Sequence, residues 1–216
     1  MNCCRGPCDA TAAHFDRKVA EDNRRRYRSQ GLDKRAGRLV EALVKAGIEG
    51  ASVLDVGSGI GMISLELLQR GAASATLADA SPAYLEVARE LAAEKSLVGR
   101  MQFVAGDFVE TARNLSSADV VVMDRAVCCY AAWRPFLKAA SERCRHRLAL
   151  TYPRNRPDVK VAIAIENFRR RLKKDDFRAF VHPPRQMRAA LEADGLARVH
   201  ETGTLAWTIA IYSRRS

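Results

Sequence analysis

The run Asp55-Val56-Gly57-Ser58-Gly59-Ile60-Gly61 puts one carboxylate and three glycines into seven residues. Glycines at spacing two let a chain turn tightly and let a ligand approach the main chain. A dinucleotide-binding fingerprint sets its last glycine three residues after the second. Here the spacing is GxGxG, and Asp55 stands two residues before Gly57. An acid at that place would repel a pyrophosphate and suits an organic ammonium group. Asp79 follows Gly61 by 18 residues. At a strand end its carboxylate can accept two hydrogen bonds from vicinal ribose hydroxyls; NAD would use the same acid, so Asp79 alone does not discriminate. Gly106-Asp107-Phe108 offers a carboxylate for an exocyclic amine with an aromatic ring beside it, and an adenine fits both.

A second set of candidates lies further on. Asp124 could act as a base, touch the ammonium group or cap a turn. Arg125 and Arg154 could pair with an acidic substrate or be surface charge. Tyr130 and Tyr152 could line a pocket or belong to the core. His182, ahead of Pro183 and Pro184, could be a base over the pocket or a loop histidine. Cys128 and Cys129 read as small buried hydrophobes or as a thiolate pair for a soft metal or metalloid, alone or with Cys3, Cys4 and Cys8. Their spacing matches no structural zinc site, so no metal is expected.

The elements that must position these residues begin at Ser52. Residues 52–56, 75–78, 101–105, 118–123 and 147–151 read as strands, the fourth carrying Val120, Val121 and Val122. Helices are expected over 60–69, 82–95, with Ser81 as N-cap and Pro82 in the first turn, 132–143, 158–174 and 185–194. Residues 197–213 read as a hairpin around Thr202–Gly203. Strands this apolar, alternating with helices, argue for a parallel sheet covered on both faces. Ahead of it, the first eight or so residues read as a frayed end, 12–30 as a charged helix ending near Gly31, and 39–47 as a second helix stopped by Gly47. Ligands of such a sheet lie beyond the carboxyl ends of its strands, where Asp124–Tyr130 and Tyr152–Arg154 fall.

The chain of 216 residues is the length of one domain. It divides into a helical extension or lid, 1–50, and a ligand-binding domain, 51–216, with a basic insertion at 155–184. Its net charge of +11 is concentrated. Residues 17–38 hold nine Lys or Arg against three acids, and 154–178 nine against four. Both segments flank the expected ligand mouth and could form a lid, with Tyr27 and Arg28 facing substrate, or be solvated helix faces. The charge invites an anionic substrate or nucleic acid. No apolar run approaches the roughly 20 residues of a membrane span. Met1–Asp9 has no secretory h-region, so a cytoplasmic chain with reduced thiols is expected. Oligomeric state is not legible.

Val53 to Asp107 resembles the signature of class I methyltransferases dependent on S-adenosylmethionine. Val53–Gly61 resembles the first motif, Ala78-Asp79-Ala80-Ser81-Pro82 the second and Gly106-Asp107-Phe108 the third. The resemblance implies a Rossmann-like, doubly wound α/β fold with seven strands, mostly parallel, and an antiparallel C-terminal hairpin. It implies that Asp55, Gly57, Ser58, Gly59 and Gly61 hold the methionine part of the cofactor. Asp79 and Ala80 would take the ribose, Asp107 and Phe108 the adenine, with Asp124 near the ammonium. Asp124, Tyr130, Tyr152 and His182 are then the catalytic candidates; Tyr27, Arg28, Arg125, Cys128, Cys129 and Arg154 are the substrate candidates. More loosely, the two ends resemble a group of small bacterial methyltransferases, through Phe15-Asp16-Arg17-Lys18 and His182-Pro183-Pro184 among other pieces.

The expected activity is methyl transfer to a small, anionic acceptor. Transfer to RNA is the alternative, motivated by the charge. Asp124-Arg125-Ala126-Val127 lacks the Pro-Pro-aromatic sequence of base-amine methyltransferases, and Val127-Cys128-Cys129 lacks the Pro-Cys of cytosine-C5 enzymes. A cofactor-binding relic without transfer is a third reading.

Overall fold

The structure is a computed structural model. It describes residues 7–215, with side chains described from Ala10. Three helices come first: α1 (Pro7–His14), α2 (Arg17–Gln30) and α3 (Lys34–Lys45). Strands and helices then alternate as β1 (Ser52–Val56), α4 (Met62–Gln69), β2 (Ser74–Asp79), α5 (Pro82–Glu94), β3 (Met101–Ala105), α6 (Phe108–Thr111), β4 (Ala118–Asp124), α7 (Trp133–Glu142) and β5 (Cys144–Pro153). The chain ends with α8 (Pro157–Leu172), α9 (Pro184–Ala193), β6 (Leu196–Gly203) and β7 (Trp207–Arg214).

The seven strands form one sheet in the order β3-β2-β1-β4-β5-β7-β6. The first five are parallel; β7 runs antiparallel between β5 and β6. Successive side chains of a strand point to opposite faces, and here each face has its own core. Val53, Val120 and Val122 pack with α2, α3, α4 and α5. Leu54, Val121 and Met123 pack with α6, α7 and α9. This two-sided burial is why β4 reads as a continuous apolar run.

The strand order reverses at β1 and β4, so a crevice opens beyond their carboxyl ends. Gly57, Gly59 and Gly61 all have positive φ (66°, 57° and 75°). A Cβ at Gly57 would stand 2.7 Å from the Cβ of Ala126, and one at Gly61 2.7 Å from Leu77 Cδ2. Gly61 thus serves helix–sheet packing.

Several boundaries differ from the sequence reading. The chain is helical from Pro7. The expected helix over 12–30 breaks at Phe15–Asp16, because Asp16 accepts a hydrogen bond from Val19 N (2.9 Å) and caps α2. β5 starts three residues early, at Cys144, its first turns half hidden by the polar Arg145, His146 and Arg147. The hairpin turns at Thr204–Ala206; Gly203 still pairs with Thr208 inside the ladder, and Thr204 Oγ1 receives Trp207 N.

The N-terminal helices are part of the first core, which takes Ala20, Tyr27, Ala36, Leu39, Val40 and Leu43 from them. α2 lies along α5, and Arg17, Arg24 and Arg28 face Glu86, Glu90 and Glu94 across the contact. Such exposed pairs each contribute about 0–1 kcal/mol, so they set the orientation of α2 more than its stability. No described helix is long and apolar enough to cross a membrane.

Candidate functional site

The crevice is a pocket of about 470 Å³. Its floor is the glycine loop, with Asp55, Gly57, Ser58, Gly59 and Ile60; one side is Ala78, Asp79 and Ala80, with Gly106 and Phe108 beyond. The sequence-predicted residues of three separate motifs therefore meet. Asp79 is buried and receives Gly59 N (2.8 Å) and Ser81 N (2.8 Å). That double anchor fixes the loop against β2 and leaves the carboxylate at the pocket wall. Burial pushes its pKa up against these two hydrogen bonds.

Asp55 is more deeply buried, at 1% exposure, and accepts from Ser64 Oγ (2.7 Å). Burial pushes its carboxyl up to about 7, with the negative charge of Asp79 a lesser contribution in the same direction. A neutral acid at the base of a glycine loop is primed to ionise for a cation. Ser64 was not among the expected site residues, although it lies one helical turn into α4.

Asp107 departs from its expected place. Its Oδ1 caps α6 through Val109 N (2.8 Å), and its carboxylate accepts from the Tyr130 hydroxyl (2.7 and 3.0 Å). Gly106 and Phe108 line the pocket in its stead. Tyr130 is a wall of the pocket: its ring stacks on Phe136 at 4.6 Å while its hydroxyl serves Asp107.

Asp124, at the end of β4, lines the pocket and is held from two sides. Thr151 Oγ1 donates to Oδ1 (2.6 Å), and the Arg35 guanidinium of α3 pairs with the same atom. Arg35 is 4% exposed, also pairs with Asp33 (3.0 Å), and lies 5.7 Å from the Trp207 ring centroid. Burial, then the charge of Arg125, lowers it to about 10, so it remains charged near neutrality. No motif announces Arg35; it is one of nine basic residues in its segment, and only a need of Asp124 for a counter-charge could have pointed to it. We expect Arg35→Met to destabilise the fold by about 3 kcal/mol, because it takes the close counter-charge from a largely buried carboxylate and leaves it Thr151 and the more distant Arg125. Adding Asp124→Asn should recover most of that loss in denaturant melts. A loss below about 1 kcal/mol in the single variant would refute the pairing.

Arg125 follows with φ 56°, a conformation uncommon for a branched or long side chain. Its amide donates to Thr151 Oγ1 (2.9 Å), and its guanidinium comes no nearer than 4.0 Å to Asp124. Cys128 and Cys129 also line the pocket. Both thiols reach the Arg125 carbonyl (3.1 and 3.2 Å) and stand 4.0 Å from each other. The hydrogen bond between them raises Cys128, with burial adding to it; the same bond, helped by Arg125, lowers Cys129. Cys128, Cys129 and Cys144 are free. Cys3 and Cys4 lie outside the described residues, as does the side chain of Cys8. Among the described residues no three metal-ligating side chains gather.

Five expected catalytic or substrate residues do not line the pocket. Tyr27 is buried away from the pocket, its hydroxyl donating to Glu66 (2.8 Å); Arg28 pairs with Glu94. They sit on α2 faces turned to α4 and α5. His182 is buried with Nε2 3.0 Å from the carbonyls of Val127 and Tyr130; donating to both, it braces the turn that carries the cysteines. Burial lowers its pKa. Tyr152 and Arg154 face a different concavity, because Pro153 is the residue of that stretch turned to the pocket.

More of the pocket lining comes from α1 and from the second basic segment, which the sequence reading expected as a lid without assigning these residues. α1 contributes His14 and is followed by Phe15; the segment after α8 contributes Phe177; α8 itself contributes Ile163, Glu166 and Arg170. His14 Nδ1 lies 2.6 Å from Asp175 Oδ2. Its ring stacks on Phe177 (4.4 Å, 11°) and meets Phe15 edge-on (4.7 Å). A carboxylate on one ring nitrogen fixes tautomer and orientation and leaves Nε2 as the proton acceptor. The partners are 161 residues apart, so no local pattern could reveal them.

Residues 53–149 match the family described as methyltransferase domain. The magnesium protoporphyrin IX methyltransferase of Synechocystis PCC 6803, solved with bound SAH, superposes with TM-score 0.75 at 19% identity, over 95% of this chain and 98% of that one. A TehB-like SAM-dependent methyltransferase from Corynebacterium glutamicum gives TM-score 0.66 at 15% identity, over 94% and 99% of the two chains. A putative RNA methyltransferase from Pyrococcus horikoshii gives 0.60 at 22% identity, over 84% of each. No curated protein sequence matches the chain. At these identities the structural likenesses are likenesses of fold.

Proposed function

The chain being a class I SAM-dependent methyltransferase by its domain match and its sheet order, we propose that it methylates a small aromatic acceptor carrying a negative charge. The observation that carries this reading is Arg125, set between the glycine loop and the cysteine pair with no carboxylate of the described residues closer than 4.0 Å. A substrate anion can take that guanidinium. Phe15, Tyr84, Phe177 and Trp207 supply ring faces around it.

The chemistry of the pocket residues suits the cofactor: in this reading Asp79 takes the ribose hydroxyls, Phe108 the base and Asp55 the ammonium group. When bound, S-adenosylmethionine supplies a methyl group on a sulfonium, which an acceptor lone pair takes in line, leaving a thioether. The protein's part is alignment, exclusion of water and removal of a proton where the acceptor carries one. His14, held by Asp175, is the residue we assign to that proton.

Methyl-labelled cofactor offered together with phenolic acids and with RNA tests the acceptor class. Label in the phenolic acids, reduced about tenfold or more by Arg125→Gln, supports the reading; label in RNA alone overturns it. An RNA track would need open basic surface, and three of the nine basic residues of the first segment, Arg17, Arg24 and Arg28, are engaged by the glutamates of α5.

Asp55 predicts a proton linkage. Its folded pKa, about 7, lies above its unfolded value, so the stabilising effect of its proton is complete below the unfolded pKa and is lost as pH rises through 7. An ammonium ligand selects the ionised form. Binding of S-adenosylmethionine should therefore release close to one proton at pH 6 and almost none at pH 8.5, read by calorimetry in buffers of different ionisation enthalpy. Asp55→Asn should abolish the release; an unchanged release in that variant would remove Asp55 from the role.

A further inference from the structure

A second concavity, of about 390 Å³, lies behind the first at the β5–β7 rung next to it. Pro153 and Trp207 pair in the ladder and line the first pocket; Tyr152 and Thr208, the adjacent pair, line the second. Five arginines converge on it: Arg154, Arg156, Arg185, Arg188 and Arg198. Glu201 is the one acid on its lining, and it pairs with Arg198. Arg156 pairs with Asp158 and Arg188 with Glu192, which leaves Arg154 and Arg185 without a carboxylate among the described ion pairs.

Two further observations point into this space. Arg154 Nε is buried without a hydrogen-bond partner. Its guanidinium lies beside Gly203, where a Cβ would stand 3.0 Å from Nη2. The N-terminus of α9 opens here through Pro184 and Arg185, and its cap residue, Pro183, makes no side-chain cap hydrogen bond. A helix N-terminus of ten residues carries partial positive charge and unsatisfied amides. Three of the five arginines have carboxylate partners; the other two, beside an uncapped helix, leave uncompensated positive charge on one concavity, a local inconsistency of the kind expected at functional sites.

We propose that this concavity binds a small polyvalent phosphate, with Arg154 and Arg198 over the Tyr152–Thr208 rung and Arg185 with the start of α9 completing the charge. The guanidinium fork matches phosphate oxygens in pairs. The site does not depend on the methyltransferase reading, and its occupant would stand behind the wall of the first pocket.

Tripolyphosphate, titrated calorimetrically into the full chain at physiological salt, tests it. Saturable binding at one site is expected. Arg185→Gln/Arg198→Gln should weaken that binding at least tenfold while leaving S-adenosylmethionine affinity unchanged, which also verifies folding. Arg169→Gln/Arg171→Gln removes the same net charge from α8 and should leave the affinity within about twofold. No saturable binding, or an equal loss in both double variants, overturns the site. Binding of an RNA oligonucleotide that tripolyphosphate fails to displace overturns it too, since it would mean a backbone track. If the first double variant does not fold, Arg185→Gln alone, on an exposed residue, reads the same result.

Discussion

Asp79→Ala should lose S-adenosylmethionine binding by about 100-fold or more while the protein stays folded. The carboxylate sits at the pocket wall between the glycine loop and α5. A vicinal diol would give it two charge-assisted hydrogen bonds, each contributing about 1.5–3 kcal/mol. Their sum corresponds to roughly two to four decades in affinity. The substitution also frees Gly59 N and Ser81 N. Gly59 lines the pocket, where water can reach its amide; Ser81 is buried, so some stability is lost with its partner while the sheet beneath remains. Asp79→Asn keeps an acceptor and should fall between. Calorimetry gives the affinities and circular dichroism the fold; near-native affinity in the alanine variant would remove the ribose from Asp79.

His14→Gln should lower kcat about 100-fold for an acceptor that must lose a proton, within the range typical of a positioned general base. Asp175→Asn should lower kcat less, because Asp175 acts by orienting the imidazole through the 2.6 Å contact. Cofactor affinity should change little in either variant. Unchanged turnover in His14→Gln would mean that the acceptor is already an anion at its reacting atom, and would strike His14 from the mechanism.

The half of the site assigned to the cofactor was legible because its residues are local. Asp55 to Gly61, Asp79 and Phe108 stand at or just beyond strand ends, and strand ends meet in a parallel sheet. The acceptor half was not legible, because its partners come from distant segments. His14 meets Asp175, and Arg35 meets Asp124, 89 residues away. Nothing in either neighbourhood encodes the other. The misplaced residues show the same limit. Tyr27 and Arg28 stand at a helical phase that faces glutamates, and this becomes visible only once α2 is laid on α5. Tyr152 and Arg154 fall beyond the fifth strand as expected, but the alternation of the pleat hands Pro153 to one pocket and its neighbours to the other. The cap at Asp16 was readable in principle, as an aspartate three residues before Val19, but a strong run of helix formers on both sides concealed it.

Arg35 has a consequence for how this chain can be recombined. The natural place to cut, ahead of β1, separates the arginine from the aspartate it neutralises at the end of β4. A chimera joined near residue 50 would unite halves from parents that had each settled that ion pair in their own way, and it would inherit a stranded charge at the mouth of the pocket. The three leading helices and the sheet are one unit of exchange: they can be traded together between relatives, or with residues 35 and 124 carried as a pair.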